Sequence, residues 1–237
     1  MQLHYTCSRW SGINDHRRIT KKYPSRSSTG NPILIQMEPL SYPLMEHFYT
    51  IQGEGANTGK PAYFLRLGGC DVGCVWCDVK DSWDPSSHPS VTISEMIRLI
   101  RESGAIRVVV TGGEPCMYDL VPLTNALRVA GIECYLETSG AYPITGEWDW
   151  ICLSPKKFKS PLAQSLALAN ELKVVVYNRH DFDWAEQNAL LTSAGCRFYL
   201  QPEYSVFSKV VPQMVEYVKL HPEWNISIQT HKVMLIP

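Results

Sequence analysis

The sequence predicts an α/β fold on a mostly parallel sheet of about seven strands, and three observations carry that expectation. Short β-branched or apolar runs alternate with helical patterns at a near-constant stride from residue 62 onward. Glycines stand where the helical patterns stop, at Gly104, Gly131 and Gly195, as helix C-termini prefer. Residues 172–177 read as a near-continuous apolar run, as expected of a strand covered on both faces. Repeated strand–helix–strand units with right-handed crossovers give a parallel sheet, open or rolled into a barrel. About seven strands fall short of a complete eightfold barrel.

Taken in order, residues 62–67 form a first strand that stops at Gly68-Gly69. Thr92-Ile93-Ser94-Glu95 is a capping box that opens a helix through Arg101, because the threonine oxygen takes up an otherwise orphaned N–H. Residues 106–110 are β-branched and read as a strand. A helix starts near Asp119 and closes at Gly131, and strands follow at 132–136 and 150–153. Residues 161–170 read as helix, 172–177 as strand, 183–194 as helix and 198–200 as strand. A helix over 206–220 and a strand over 226–228 complete the series.

The chain has 237 residues, 45% of them apolar, enough for one sizeable core. Its net charge of -1 lacks the basic bias of a phosphate-tracking nucleic-acid binder. No apolar run is long enough to span a bilayer, and the first residues lack a secretory-type apolar stretch. A cytoplasmic protein with no nucleic-acid or membrane partner is therefore expected. Residues 1–37 differ from the rest: Arg9, Arg17, Arg18, Lys21, Lys22 and Arg26 stand against the single acid Asp15, with no sustained period. They read as a disordered basic leader, or an upstream start with Met37 as initiator, ahead of one domain over 38–237. A targeting or binding arm is the other reading.

In a parallel barrel, reactive groups collect at the C-terminal strand ends. Here Gly68-Gly69-Cys70, Thr111-Gly112-Gly113-Glu114-Pro115 and Glu137-Thr138-Ser139-Gly140 follow the first three strands. Ser154-Pro155-Lys156, Tyr177-Asn178, Gln201-Pro202-Glu203 and Gln229-Thr230-His231-Lys232 follow the rest. One rim thus gathers polar, glycine-rich and cysteine groups. The sharpest signal is Cys70-x-x-x-Cys74-x-x-Cys77. Eight cysteines in so core-rich a chain do not suggest a disulfide-stapled domain, and three fall in this one segment.

Three thiolates on a short loop wrap one side of a four-iron cube and leave one iron open. That iron takes a small chelate, and the amino and carboxylate groups of S-adenosylmethionine (SAM) suit it. Electron-transfer ferredoxins normally supply four thiolates, and structural zinc wants a closed four-ligand shell. Cys116, on another strand-end loop, reads as a buried small residue. Gly112-Gly113 lets backbone approach a ligand, or is an ordinary tight turn. Glu137 is placed to accept from ribose hydroxyls, or is a solvated loop acid. Trp76, between two of the cysteines, shields the cluster or simply packs in the core.

These residues resemble the 7-carboxy-7-deazaguanine synthase family of radical SAM enzymes, which serve queuosine and 7-deazapurine biosynthesis. The resemblance rests on His47 to Gly55 with its Gln52-Gly53-Glu54-Gly55 element, Phe64 to Cys70, Cys74 to Asp78, and the Gln229-Thr230-His231-Lys232 tail. It implies an abbreviated barrel of the triosephosphate-isomerase type, with about six to seven parallel strands and a radical SAM core. It also implies a homodimer, a [4Fe-4S] cluster on Cys70, Cys74 and Cys77, and SAM as second cofactor. The implied reaction is a lyase-type conversion of 6-carboxy-5,6,7,8-tetrahydropterin to 7-carboxy-7-deazaguanine with loss of ammonia. A SAM-derived radical carries the chemistry, so no side chain is assigned as catalytic. Flavodoxin or ferredoxin is the implied electron donor.

By the same resemblance, Ile51, Gln52, Gly53, Glu54, Arg66, Thr111 and Pro237 should face the substrate, with Arg66 on its carboxylate. Trp76, Asp78, Gly113, Glu137, Ser154, Lys156, Gln201, Pro202, Glu203 and Tyr204 should face SAM. One departure stands out. Many relatives carry a threonine two residues after the last cluster cysteine, and it helps hold magnesium. Here that position is Val79, which offers no oxygen to a hard cation, so either magnesium is held by substrate, water and Asp78, or the site works without it or with another ion. The rival readings are an activating enzyme that makes a glycyl radical on a partner protein, and an iron–sulfur carrier or zinc module.

Overall fold

The computed structural model describes residues 40–237, and the expectations for residues 1–37 lie outside the described residues. Among the described residues, nine strands form one sheet: β1 (Ser41–Ile51), β2 (Pro61–Leu67), β3 (Ser90–Thr92), β4 (Arg107–Gly112), β5 (Glu133–Thr138), β6 (Trp150–Leu153), β7 (Glu171–Val176), β8 (Arg197–Pro202) and β9 (Trp224–Ile226). Their order is β3-β1-β2-β4-β5-β6-β7-β8-β9. From β2 to β9, neighbours run parallel. β1 and β3 are added antiparallel at one edge. β3 and β9 are the two ends of the order, so the sheet does not close through strand pairing.

The parallel strands match the expected positions to within a few residues. β1 was not expected, because its sequence hides its period. A register shift between Leu44 and Glu46 inserts a bulge, which breaks the in–out alternation by which a strand is read.

Helices α1 (Ile93–Ser103), α2 (Val121–Val129), α4 (His180–Ala189) and α5 (Phe207–Leu220) cover the outer face, with short α3 (Ala163–Leu166) and α6 (Thr230–Met234) between and after them. Half of the expected capping box forms: Thr92 Oγ1 accepts from Glu95 N at 3.2 Å, while the Glu95 carboxylate turns to Arg98 instead of Thr92 N, and Gly104 ends α1 at φ 74°. The expected helix over 161–170 shrinks to the four residues of α3. Leu162 is extended, and Asn170 exchanges bonds with Ile151, its N–H donating at 3.0 Å and its Oδ1 accepting at 2.8 Å. That exchange draws Asn170 into the sheet. Helix α4 starts and ends earlier than expected, since the Asp181 carboxylate accepts the Tyr177 and Asn178 N–H groups at 2.8 Å and ties the turn before it.

Strand alternation sorts the side chains. On β2 and β4, Leu65, Leu67, Val108 and Val110 point outward into one apolar cluster with Met96, Ile100, Leu123 and Leu127 of α1 and α2. A second cluster joins Leu172, Val174 and Leu200 to Phe182, Val210, Met214 and Trp224. Each fully buried aliphatic here contributes about 1.5–3 kcal/mol. The alternate positions, among them Phe64, Arg66, Thr111, Glu137, Lys173 and Gln201, face the other way and line one cavity. Among the described residues, no helix is long and apolar enough to cross a membrane.

Candidate active site

The cavity has a volume of about 450 Å³. All three cysteines of the loop line it, as does every residue assigned above to SAM or substrate, from Ile51 to Pro237. Cys116 does not line it; its thiol is buried and burial pushes its pKa up to about 12.

The loop that carries Cys70, Cys74 and Cys77 leaves β2 through Gly68 and Gly69. It is pressed against the turn after β4. A Cβ on Gly113 would lie 2.4 Å from Gly69 O and 2.6 Å from Cys70 Cβ, so only glycine lets the two strand ends meet. Within the loop, Cys77 N donates to Cys74 O at 3.1 Å and Val79 N to Cys77 Sγ at 3.4 Å. Burial raises the pKa of Cys70 and Cys74, and their neighbouring thiols add to it. Such thiols stay protonated until a soft metal takes them as thiolates.

The donor set fits an iron–sulfur cluster. It offers three sulfurs from one loop, and among the described residues these sulfurs do not all fall within 4.8 Å of one another. Thiolates around a single zinc at about 2.3 Å would sit within about 4 Å. The groups expected for SAM fit as well. Lys156 is half-buried and donates to Ser154 O and Oγ at 2.7 Å. Its ammonium stands 5.8 Å over the Trp76 ring, which meets Phe158 edge-on. Gln201, Pro202, Glu203 and Tyr204 edge the cavity at the end of β8, where the Glu203 carboxylate caps the following turn by accepting from Ser205 N at 3.0 Å.

Behind the loop, Glu114 is buried and fully used. It accepts from Cys116 N at 3.0 Å, Thr138 Oγ1 at 2.6 Å, Ser139 N at 2.8 Å and the Ser139 hydroxyl. It therefore ties the turn after β4 to the turn after β5. The sequence reading gave Glu114 no role.

Opposite the loop lies a charged floor. Gln52 Nε2 donates to Glu137 Oε1 at 2.7 Å, and Gln229 Nε2 donates to Glu54 Oε1 at 2.7 Å. Lys173, 3% exposed, donates to the Glu54 carboxylate and stands 3.6 Å from Glu137 Oε2. Burial opposes the charge of Lys173, and the groups facing it outweigh that opposition and raise its pKa well above the usual range. Cys152 is among them, but its own thiol is pushed up by burial, so Glu137, Glu54 and Glu171 carry the effect. Burial would raise Glu54, yet the Lys173 charge, with hydrogen bonds from Lys173, Gln229 and Gln201, holds it at about 2.

The element after β1 is anchored from below. Gly55 N donates to Ser227 Oγ at 2.9 Å and Ala56 N to Glu171 Oε2 at 3.2 Å. Thr230 N and Oγ1 both donate to Gly53 O, at 2.9 and 3.0 Å. Arg66 lines the cavity beside its register partner Thr111. Its Nε meets Glu46 Oε1 at 2.5 Å. The other donors of the guanidinium are not used by protein groups among the described residues. Pro237 and Ile51 also line the cavity.

Magnesium fits less well. Val79 lines the cavity without an oxygen, and the Asp78 carboxylate faces Lys232 Nζ at 3.7 Å. An ammonium already stands near the Asp78 carboxylate, so Asp78 and Val79 do not form a magnesium shell and no step is assigned to the ion.

A loop of three cysteines and a charged floor around one cavity define a class, and comparison agrees. The profile described as the Radical SAM superfamily matches residues 65–151. Two similar proteins carry the name 7-carboxy-7-deazaguanine synthase. That of Flavobacterium psychrophilum is 51% identical over 82% of this chain and 92% of its own length. That of Escherichia coli K12 is 34% identical over 83% of this chain and 100% of its own. The crystal structure of QueE from Escherichia coli superposes with a TM-score of 0.71 at 35% identity, covering 80% of this chain and 94% of that one. The chain belongs to the 7-carboxy-7-deazaguanine synthase family. A glycyl-radical activating enzyme is not favoured by these relatives.

Proposed function

We propose that this protein converts 6-carboxy-5,6,7,8-tetrahydropterin to 7-carboxy-7-deazaguanine with loss of ammonia, in queuosine biosynthesis. One observation carries the reading: a single cavity is lined by the three thiols, the acceptor-rich floor and the Arg66 fork. Cys70, Cys74 and Cys77 would hold a [4Fe-4S] cluster, which together with SAM would supply radical chemistry to the site. The protein does the rest by placement. Arg66 pairs with the substrate carboxylate, for which a planar fork is suited. Gln52 and Glu54 face the nitrogen-rich edge of the pterin, with Ile51, Gly53, Thr111 and Pro237 around the ring. Gly113, Glu137, Ser154, Lys156 and residues 201–204 hold SAM, with Trp76 and Asp78 beside the cluster.

The curled sheet is read as an abbreviated barrel. A homodimer, a cytoplasmic location, an electron donor of the flavodoxin or ferredoxin kind, and a basic leader over residues 1–37 complete the proposal. The test is anaerobic reconstitution with iron and sulfide, then SAM, a reductant and the pterin, with product read by mass. Appearance of the deazaguanine supports the reading. SAM cleavage without it, at saturating pterin, refutes it.

A further inference from the structure

The floor of the cavity contains a group that neither the motifs nor the proposed reaction uses. We propose that Lys173 is a positioning residue that keeps Glu54 as an acceptor toward the N–H edge of a 2-amino-4-oxopyrimidine, and thereby sets the preference for that edge over its 2-deamino counterpart. The inference rests on the pterin reading above.

The argument is one of donors and acceptors. A 2-amino-4-oxopyrimidine presents an amino N–H and a ring N–H side by side. A facing carboxylate must be ionised to accept both, because a protonated one offers an O–H instead. Glu54 sits in a nearly closed place, with 15% of its side chain exposed. Burial alone would favour the neutral acid there. Lys173 reverses that preference, reaching Glu54 directly and Glu137 at 3.6 Å. In the 2-deamino analogue a carbonyl replaces the amino group and would face the carboxylate acceptor to acceptor. Sites built to meet an N–H reject analogues that lack it by large factors.

The groups that face Lys173 define the electrostatics. They are Glu54 after β1, Glu137 on β5, Cys152 on β6 and Glu171 on β7, with the Lys156 ammonium above β6. From β8 and the segment after β9 come the uncharged Gln201, Ser227 and Gln229, with His231 packed against Gly53 beside Glu54 and with Glu203 and Lys232 elsewhere on the cavity lining. Glu171 does not compete for the same role. Burial raises its pKa, and it is spent on Ala56 N and on Trp150 Nε1 at 3.1 Å. Lys173 is thus placed so that a single charge decides whether the floor accepts or donates.

The test uses the full chain with SAM and without reductant, and reads binding by quenching of ligand fluorescence. The probes are 6-carboxypterin and 6-carboxylumazine. Wild type should prefer the pterin by about tenfold or more. Lys173→Met should lose about tenfold in pterin affinity at neutral pH and bring the two probes within about threefold. Its pterin binding should also fall off at a higher pH than in wild type, because Glu54 then titrates above rather than below the ordinary 4.5.

Lys173→Arg keeps the charge and should restore most of the preference. If Lys173→Met does not fold, Lys173→Met with Glu54→Gln removes both charges and should fold with the preference gone. Wild-type discrimination in either Met protein, or its loss in a folded Arg protein, would overturn the inference. A wild type that makes no deazaguanine and binds neither probe would instead overturn the pterin reading itself.

Discussion

Residues 70–79 contain no helix or strand and hang on a few backbone bonds, such as Gly69 N to Ser82 O at 2.6 Å and Cys70 N to Trp83 O at 3.2 Å. The Gln52–Glu54 turn across the cavity has backbone bonds at Gln52 and Gly53 and is tied in addition through side chains, to Glu137 on β5, Lys173 on β7 and Gln229 beyond β9. The loop supplies soft atoms whose geometry a cofactor completes. The floor supplies fixed charges that are already arranged before any ligand arrives. Removing an atom from the loop should therefore abolish chemistry outright, whereas changes in the floor should alter recognition.

The largest effect expected is on the loop. Cys74→Ala should leave no measurable SAM cleavage after anaerobic reconstitution, with little sulfide taken up; cleavage near the wild-type rate would break the contrast. Next comes Arg66→Ala, at the junction of the two walls. It should lose about 100-fold or more in deazaguanine formation, as expected when a buried charged pair loses one member, while uncoupled SAM cleavage persists. Parallel loss of both activities would place Arg66 with the loop instead.

A smaller effect tests the floor's anchoring. Gly55 sits at φ +65°, and a Cβ there would lie 1.8 Å from Glu171 Oε1. Gly55→Ala should cost about 2 kcal/mol or more in stability, read as a drop in melting temperature with cluster content unchanged. The smallest effect concerns the Asp78–Lys232 pair. Omitting magnesium from assays in chelator-treated buffer should change turnover by less than about twofold, since Val79 has no oxygen and Asp78 faces Lys232. A strong magnesium requirement would show that ligands other than these side chains recruit it.

The same contrast explains how much of the site was legible in the sequence. The loop is contiguous, so spacing alone exposes Cys70, Cys74 and Cys77. The floor is scattered over strands, and Lys173 was absorbed into an apolar run. Its place was nevertheless readable from parity. In β7, Glu171, Lys173 and Val175 share the face opposite Leu172 and Val174, as Arg66 shares the face opposite Leu65 and Leu67. The parallel strands were legible because each was bounded by turn residues. β1 was not, because the bulge at Leu44 scrambled its alternation. The helix over 161–170 failed because Asn170 pairs with Ile151, a long-range bond that local propensity cannot see.

Gly53 and Thr230 meet across 177 residues of sequence, and Glu54 and Gln229 across 175. No growing N-terminal fragment can assemble that floor, because half of its anchors have yet to leave the ribosome. Contacts of such separation are slow to form, since chain entropy must be lost before they reward it. Maturation is thus ordered in time: the recognition surface exists only once the chain has been synthesised through Thr230 and the strands before it have folded.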